Sequence, residues 1–318
     1  MHATTEFLDA QYTLVLDKAL HANIPSDQLS VFTVDEAKNH KTLARYVTDM
    51  ERGSVIYVPP RETLTLSYKV VDTADENVLF VFDEGSSVTL VEERLLEGDG
   101  KGNVALVLRH GVKVDLVELH CNKNSSHSLL RKKIRCESHS QLRREVVHVG
   151  GKTSRIDTSV AIADDAVVDN IEVFFGNNEQ EFTVNTGLYH QGLRSKGNIL
   201  VKGLLQGKAQ FHSNAMLDIA QEAQRADTFL AEHILVLSKD AKANVIPSLE
   251  IRANDVKASH AVSVSQLDQE QIFYLRARGL KEHEAKKMIV YGFLQSALEM
   301  LGESTKQRFQ ELFEAKWQ

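Results

Sequence analysis

About two hundred consecutive residues, from Val55 to Gln266, contain short runs of alternating apolar and polar side chains and no convincing long helix. The alternation is clean in Leu64–Val70, Val88–Glu92, Val112–Glu118 and Phe182–Thr186. A period of two indicates half-buried β-strands, and Gly, Asp, Asn or Ser bounds each run. So many short strands require a closed or stacked β architecture, because an open sheet of that width is rare.

Turn residues precede these strands at a spacing typical of solenoid coils. Gly85 and Gly111 lie 26 residues apart, and Gly207 and Ala241 lie 34 residues apart. In a β-helix each coil stacks on the next, which explains this spacing better than a β-sandwich does. The sequence therefore predicts a mainly β fold built around a parallel β-helix.

The period returns to 3.6 after the last strand. Asp268 is placed to N-cap a helix, and Gly279 is placed to end it at C′. Two further helices are predicted, over Glu282–Leu301 and Ser304–Trp317. A three-helix domain should therefore follow the β-helix.

The first fifty residues are partly helical in pattern, with candidate helices over Glu6–Leu20 and Asp35–Met50. Pro59 and Pro60 then exclude both a helix and a central strand, and they mark the change of architecture. The predicted organisation has three parts: a helical N-terminal region over 1–54, the β-helix core over 55–266 and the C-terminal helical domain over 267–318.

The charge balance limits the classes of partner. The chain of 318 residues carries 37 Lys and Arg against 44 Asp and Glu, a formal net charge of −7. This argues against a nucleic-acid surface, which needs clustered cations. The one basic cluster, Arg131–Arg135, is interpreted as the solvated face of an edge strand.

The sequence indicates neither membrane insertion nor export. No run approaches the ~18–20 apolar residues that span a bilayer, and the first residues lack the features of a signal peptide. A cytoplasmic location is therefore expected.

The sequence lacks the common catalytic signatures. It has no phosphate-binding loop, dinucleotide fingerprint, nucleophile elbow or paired-histidine zinc helix. We therefore expect no enzymatic activity. Six potential metal ligands fall close together in the sequence without the spacing of a zinc site: His120, Cys121, His127, Cys136, His139 and His148.

One stretch carries a specific family resemblance. It contains P-S-L-E-I at Pro247–Ile251, D-V-K-A-S-H at Asp255–His260, Leu267-Asp268, and F-Y-L-R-A-R-G-L at Phe273–Leu280. These residues closely resemble the SufB/SufD family, the scaffold proteins of the SUF iron–sulfur cluster assembly machinery. The family patterns are P-x-L-E-I, D-V-K-C-S-H, L-D and F-Y-L-x-S-R-G-I. The resemblance covers about 95 residues, from Asn198 to Phe293, and it is most like SufD.

The resemblance implies a right-handed β-helix with C-terminal helices. It also implies a SufB–SufD pair that carries the SufC ATPase and holds a transient iron–sulfur cluster, with no cofactor bound tightly to the isolated chain. The family's cysteine is Ala258 here, whereas the histidine is retained as His260. The resemblance therefore makes His260 a candidate ligand at the interface, while Ala258 has no ligand atom to offer.

Two surfaces are predicted to bind partners. The end of the β-helix near His260 should be the face that pairs with a second scaffold chain. The helical tail has more apolar residues than one packing face needs, so it should dock the ATPase. The candidate partner-binding residues are Phe273, Tyr274, Met288, Val290, Tyr291 and Phe293.

Two other functions stay open at this point. A self-sufficient homodimeric scaffold should keep the cysteine at position 258, although Cys121 or Cys136 could substitute if either lay near His260. A polysaccharide-active β-helix enzyme is the second alternative, and both the apparent lack of a signal peptide and the helical tail weigh against it.

Overall fold

A computed structural model describes residues 12–16, 20–22, 27–71 and 75–317. Its core is a parallel β-solenoid of about eight coils, which confirms the predicted β-helix. The strands in the described residues are β1 (Tyr12–Leu16), β2 (Leu20–Ala22), β3 (Ser30–Thr33), β4 (Ser54–Val58), β5 (Thr63–Val71), β6 (Asp75–Phe82), β7 (Ser87–Leu95), β8 (Gly100–Leu108), β9 (Lys113–His120), β10 (His127–Cys136), β11 (Gln141–Val149), β12 (Thr153–Ile162), β13 (Val167–Gly176), β14 (Glu181–His190), β15 (Lys196–Leu205), β16 (Gln210–Ile219), β17 (Asp227–Val236), β18 (Lys242–Ile251) and β19 (Lys257–Gln266).

Successive strands alternate between two sheets. Sheet A contains β1, β2 and the odd-numbered strands from β5 to β19, and sheet B contains β3 and the even-numbered strands from β4 to β18. From β4 onward, each strand pairs in parallel with the strand two positions later in the chain, one coil further along. The coil length grows from 24 residues, between Thr63 and Ser87, to 31 residues, between Lys196 and Asp227.

One corner of the solenoid repeats a left-handed turn residue in each described coil except the last. Gly85 and Gly111, the residues whose spacing suggested coils, have φ values of +70° and +68°. The N–H of each donates to a carbonyl in the next coil, on His110 and Ser138 respectively. The same corner is occupied by Arg61, His139, Asp165, Arg194 and Arg225 in the other coils.

Inward-facing side chains of both sheets fill the interior of the solenoid, here called the lumen. Leu66, Leu90 and Leu116 lie side by side in register on sheet A, and all three are fully buried. Because alternate residues of each strand face inward, the period-two pattern places the apolar side chains in this core. Each fully buried Leu contributes about 1.5–3 kcal/mol.

Gly203 is required by a close approach inside the lumen. A Cβ added at Gly203 would lie 1.9 Å from the ring of Phe174, which itself stacks on Phe211 at 4.1 Å between centroids. We expect Gly203→Ala to lower the free energy of unfolding by about 3 kcal/mol, because the packed ring cannot move aside.

Gly292 lies inside the third helix, and a Cβ added there would meet no atom within 4 Å. Gly292→Ala should instead stabilise the protein by about 0.5–1 kcal/mol. Denaturant unfolding of both variants measures this, and equal effects would contradict the packing.

Helices flank the solenoid. They are α1 (Val34–Lys38), a 3₁₀ turn (Ala44–Tyr46), α2 (Gln269–Ala277), α3 (Glu282–Leu298) and α4 (Glu303–Lys316). The Asp268 side chain accepts the N–H of Glu270 at 2.8 Å, and Gly279 has φ +96°, so both predicted helix boundaries are confirmed. No helix in the described part of the chain has the length and apolar run that crossing a bilayer takes.

The tail covers the outer face of sheet A. Val147 and Phe175 point outward from this sheet and pack against Leu294, Phe309 and Phe313 of α3 and α4. Within the described residues, the outer face of sheet B is covered only near its first strands, where α1 and the 3₁₀ turn pack. The later strands of sheet B therefore present an open outer face.

The helix predicted over Glu6–Leu20 is wrong within its described residues. Tyr12–Leu16 is strand β1, which pairs in parallel with β5, and the remaining part lies largely outside the described residues. The helix predicted over Asp35–Met50 reduces to α1 and the 3₁₀ turn. Every second residue of β1 is buried, namely Tyr12, Leu14 and Leu16. The interactions gained by pairing with the solenoid therefore outweigh the local preference of this segment for a helix.

Candidate functional site

The solenoid ends in an uncapped coil. Strands β18 and β19 are the last strands of their sheets, and no other described strand pairs with their outer edges. Large apolar side chains are exposed here: Val264 is 50% exposed, and Val262, Ile246 and Ile251 are also exposed. Unpaired backbone groups beside apolar side chains form a template for pairing with another chain.

His260 lies on this terminal coil. It is in register with the inward-facing Leu230 of the preceding coil, yet it is exposed because no described coil follows. Its side chain makes no hydrogen bond to any described residue. Ala258 is on the same face of β19, two residues earlier. The described residues therefore give the His260 imidazole no hydrogen bond that would stabilise the fold.

Glu232 is buried one coil below this end. It is in register with Val262, which makes it a diagonal neighbour of His260 on the inner face. Ser213 donates to Oε1 at 2.5 Å, whereas Oε2 has no partner among the described residues. Burial raises the pKa of this carboxyl to about 7.

We expect Glu232 to make stability fall as the pH rises. Its folded pKa exceeds the unfolded value, so the folded state binds a proton that the unfolded state loses first, and stability declines between about pH 4.5 and 7. Glu232→Gln should therefore be up to about 3 kcal/mol more stable than the wild type at pH 8, with little difference at pH 4.5. Urea unfolding at both pH values tests this, with the exposed Glu222→Gln as control. The same gain at both pH values would contradict it.

The predicted partner-binding residues of the tail divide into two groups. Phe273, Tyr274 and Met288 are 74%, 55% and 53% exposed, on α2 and α3. Val290 is fully buried, so it belongs to the internal packing of the tail. Tyr291 and Phe293 are half-buried and pack against the same internal cluster. The exposed apolar surface of the tail is thus centred on the first three residues.

A chain of buried polar side chains runs through the lumen, and the sequence analysis missed it. Lys132 donates to Glu92 at 2.6 Å and lies 2.8 Å from Glu118, and the side chains of all three are fully buried. Arg144 donates to Glu118 at 2.6 Å and to Glu172 at 2.9 Å. Among the described residues, the members of this lumenal network include Tyr68, Glu76, Arg94, Glu92, Lys132, Glu118, His120, Arg144, Asn170, Glu172 and Thr186.

Neighbouring cations hold the pKa values of Glu92, Glu118 and Glu172 below their usual values, whereas burial raises the pKa of Glu76. Burial alone would raise the pKa of Glu118, but Arg144 and Lys132 outweigh it and hold this pKa well below its usual value. Arg144 likewise outweighs burial at Glu172 and lowers its pKa to about 2. Burial lowers the pKa of the adjacent His120 to about 4, so this imidazole is neutral at pH 7. The lumen thus holds fixed ion pairs.

The interpretation of Arg131–Arg135 as one solvated edge face is wrong at Lys132. Strand β10 pairs on both sides, with β8 and β12, so it is an internal strand. Alternate residues face opposite sides, which places Lys132 in the lumen and its neighbours Arg131 and Lys133 in solvent. The carboxylates of Glu92 and Glu118 attract the Lys132 ammonium, which explains why this charged side chain faces the lumen.

The six His and Cys residues between 120 and 148 do not form one site. In the described residues, the only group with metal-ligand geometry is Glu92, Glu118 and His120, with ligand atoms within 4.8 Å of one another. The Lys132 ammonium already bridges the two carboxylates, so their charge is compensated without a metal. The ring of His148 lies beside that of His120, with 4.7 Å between centroids and a tilt of 44° between the ring planes.

The two cysteines lie far from the terminal coil. Cys121 follows β9, five coils before His260 on sheet A, a separation of about 24 Å along the solenoid. Cys136 faces the lumen at the end of β10. Burial raises the pKa of Cys121 to about 11 and that of Cys136 to about 12, so both remain thiols at neutral pH. Neither supplies a thiolate beside His260.

A protein-family model described as "SUF system FeS cluster assembly, SufBD core domain" matches residues 67–293. The chain belongs to the SufBD family. The match begins well before Asn198, where the motif resemblance began, and it takes in nearly the whole solenoid, the terminal coil and most of α3.

Curated relatives of this SufBD-family chain are SUF proteins. The iron–sulfur cluster assembly protein SufD of Bacillus subtilis is 28% identical over 298 residues, covering 89% of this chain and 68% of the relative. SufD of Escherichia coli is 38% identical over 102 residues, covering 32% of this chain and 24% of the relative. A SufBD family protein of Mycobacterium leprae is 28% identical over 224 residues, covering 66% and 55%. These names agree with the SufD-like character of the motifs.

Proposed function

We propose that this SufD-family chain is a non-catalytic scaffold subunit for iron–sulfur cluster assembly. In this function it pairs end-on with a SufB-type chain, and it carries a SufC-type ATPase on its helical tail. The observation that carries the proposal is the uncapped terminal coil, which presents His260 on an unpaired sheet edge. A scaffold of this kind works in the cytoplasm, without a cofactor bound tightly to the isolated chain.

The terminal coil suits pairing with another β-helix. A second chain can continue both sheets across the edges of β18 and β19, which satisfies their free backbone groups. The exposed Val262 and Val264 would then be buried. The lumen of one chain would face that of the other, with His260 at the junction.

The exposed residues of the tail support the ATPase dock. Phe273 and Tyr274 on α2 and Met288 on α3 are large apolar side chains that the other described residues leave exposed. Deleting α3 and α4 would uncover the apolar outer face of sheet A, including Phe175, and would destabilise the solenoid. Phe273→Asp with Met288→Asp is therefore the sharper test of ATPase binding.

The cluster itself is cargo shared across the junction. An imidazole nitrogen can ligate iron, as in Rieske centres. Ala258 provides no ligand atom, and both cysteines of this chain are remote and protonated. The thiolates must therefore come from the partner, with His260 as the contribution of this chain. A self-sufficient homodimer would lack those thiolates.

His260→Ala should separate cluster assembly from folding. We expect the melting temperature and complex formation to stay unchanged, because the side chain is exposed and has no hydrogen-bond partner among the described residues. Maturation of iron–sulfur enzymes in cells that depend on this chain should fall at least about tenfold. His212→Ala, on the exposed outer face of sheet B, is the matched control. Normal maturation with His260→Ala would refute the ligand role.

A further inference from the structure

The outer face of β10 carries a row of three cations. Arg131, Lys133 and Arg135 alternate with buried residues, so all three project from sheet B into solvent. Arg131 and Lys133 form no ion pair within the described ranges, and Arg135 lies 3.9 Å from Glu137. This basic row stands out on a chain whose formal net charge is −7.

Further features extend the basic row into a shallow binding face. Lys101 on β8 is exposed at the position diagonal to Arg131, with Asp75 opposite it on β6. Arg155 on β12 is engaged with Asp157 at 3.1 Å. A cavity of about 260 Å³ begins at Arg131 and Lys133 and continues across the three following strands of sheet B. Its floor and walls include Ser159, Asn185, Gly187, Tyr189, Asn214 and Met216. Asp157 is the one acidic residue among those lining the cavity.

We propose that this face binds an extended acidic polypeptide segment of a protein partner. The cations of the basic row are two residues apart along a strand, about 6.6 Å. An extended peptide presents the side chains of every second residue on one face at that same interval, so an Asp or Glu at each of these positions would meet a cation. Strand β10 is paired on both edges, so the segment would lie on the face through its side chains.

The surroundings favour an acidic peptide over nucleic acid. Tyr189 is the single aromatic residue of the cavity, whereas single-stranded nucleic acid needs several stacking platforms. The face is on the opposite side of the solenoid from the tail helices, and no other described residue covers it beyond the first strands. This inference therefore does not depend on the proposed scaffold function.

Fluorescence anisotropy at low and high salt tests the proposal. The probe is a labelled twelve-residue peptide in which Glu and Ser alternate. It should bind the full chain, and its affinity should fall with added salt. A peptide of identical composition with all Glu in one block should bind several-fold more weakly, and a Gln-for-Glu peptide should not bind.

Charge reversal locates the site. Arg131→Glu with Lys133→Glu should weaken binding of the alternating peptide at least about tenfold, and Arg131→Gln with Lys133→Gln should weaken it less. Lys113→Glu with Lys196→Glu changes the net charge equally at exposed positions on sheet A and should leave binding unchanged. The proposal would be overturned if both charge-reversal variants lost the same affinity for the alternating peptide. It would also be overturned if the alternating peptide and the peptide with its Glu residues in one block bound equally well. Tighter binding of a twelve-nucleotide oligothymidylate would also overturn it.

Discussion

Lys132→Met is expected to lower the free energy of unfolding by about 3–5 kcal/mol. The Lys132 ammonium is fully buried and contacts both Glu92 and Glu118. Its removal leaves the two carboxylates facing each other without the cation that bridges them, so that Glu92 keeps only Arg94 as a counterion and Glu118 keeps only Arg144. Removing one partner of a buried ion pair costs far more than the pair contributes.

The neighbouring residue is a matched control. Lys133→Met removes the same charge one position along β10, where the side chain is exposed, and it should change stability by less than about 0.5 kcal/mol. Chemical denaturation at pH 7 compares the two variants. Adding Glu118→Gln to Lys132→Met should recover part of the loss, since the two residues are coupled. Similar stabilities of the two single variants would contradict the lumenal network.

Val262→Asp with Val264→Asp is expected to weaken pairing with a SufB-type chain at least about a hundredfold. Both residues are exposed on the terminal strand in the isolated chain and would be buried at the proposed junction. Burying two unpaired carboxylates costs several kcal/mol, and a hundredfold loss corresponds to about 2.7 kcal/mol. The folded monomer should be little affected, because the positions face solvent there.

Titration calorimetry with the purified partner measures this loss. Leu95→Asp with Leu193→Asp is the control, because both leucines are exposed at positions remote from the terminal coil. The control should pair normally. Undiminished pairing of the Val262 and Val264 variant would place the junction elsewhere on the molecule.

The solenoid could be predicted because its sequence signals are local and repeated. Alternation places Leu66, Leu90 and Leu116 inward, and Gly85 and Gly111 mark equivalent corners. The boundaries of α2 followed from capping chemistry at Asp268 and Gly279, which is also a local signal. The strand at Tyr12–Leu16 could not be predicted this way, because its pairing with β5 is long-range.

The lumenal network left a signal that the sequence analysis did not use. In β7, the inward phase set by Val88 and Leu90 continues into Glu92 and Arg94. Charged residues in an apolar phase indicate buried ion pairs, but their partners come from other coils, so the pairing itself needs the structure. By the same reasoning, the alternation of residues along β10 would have placed the Lys132 side chain in the lumen.

The candidate site at His260 was reached through a motif, and its setting required the fold. The sequence retains the histidine of the family motif as His260 and has Ala258 in place of the motif's cysteine. The structure places both on one face of the last strand, and it places Cys121 about five coils away. The distance between two residues along the solenoid axis could not be inferred from their separation in sequence, because the number of residues per coil varies.

Co-expression followed by affinity purification tests the scaffold function most directly. This chain, tagged, would be produced with a SufB-type chain and a SufC-type ATPase from the same genome. We expect a stoichiometric complex of all three. The Val262 and Val264 variant should lose the SufB-type chain, and Phe273→Asp with Met288→Asp should lose ATPase bound to this chain. Recovery of the tagged chain alone, with both partners soluble in the same cells, would contradict the account.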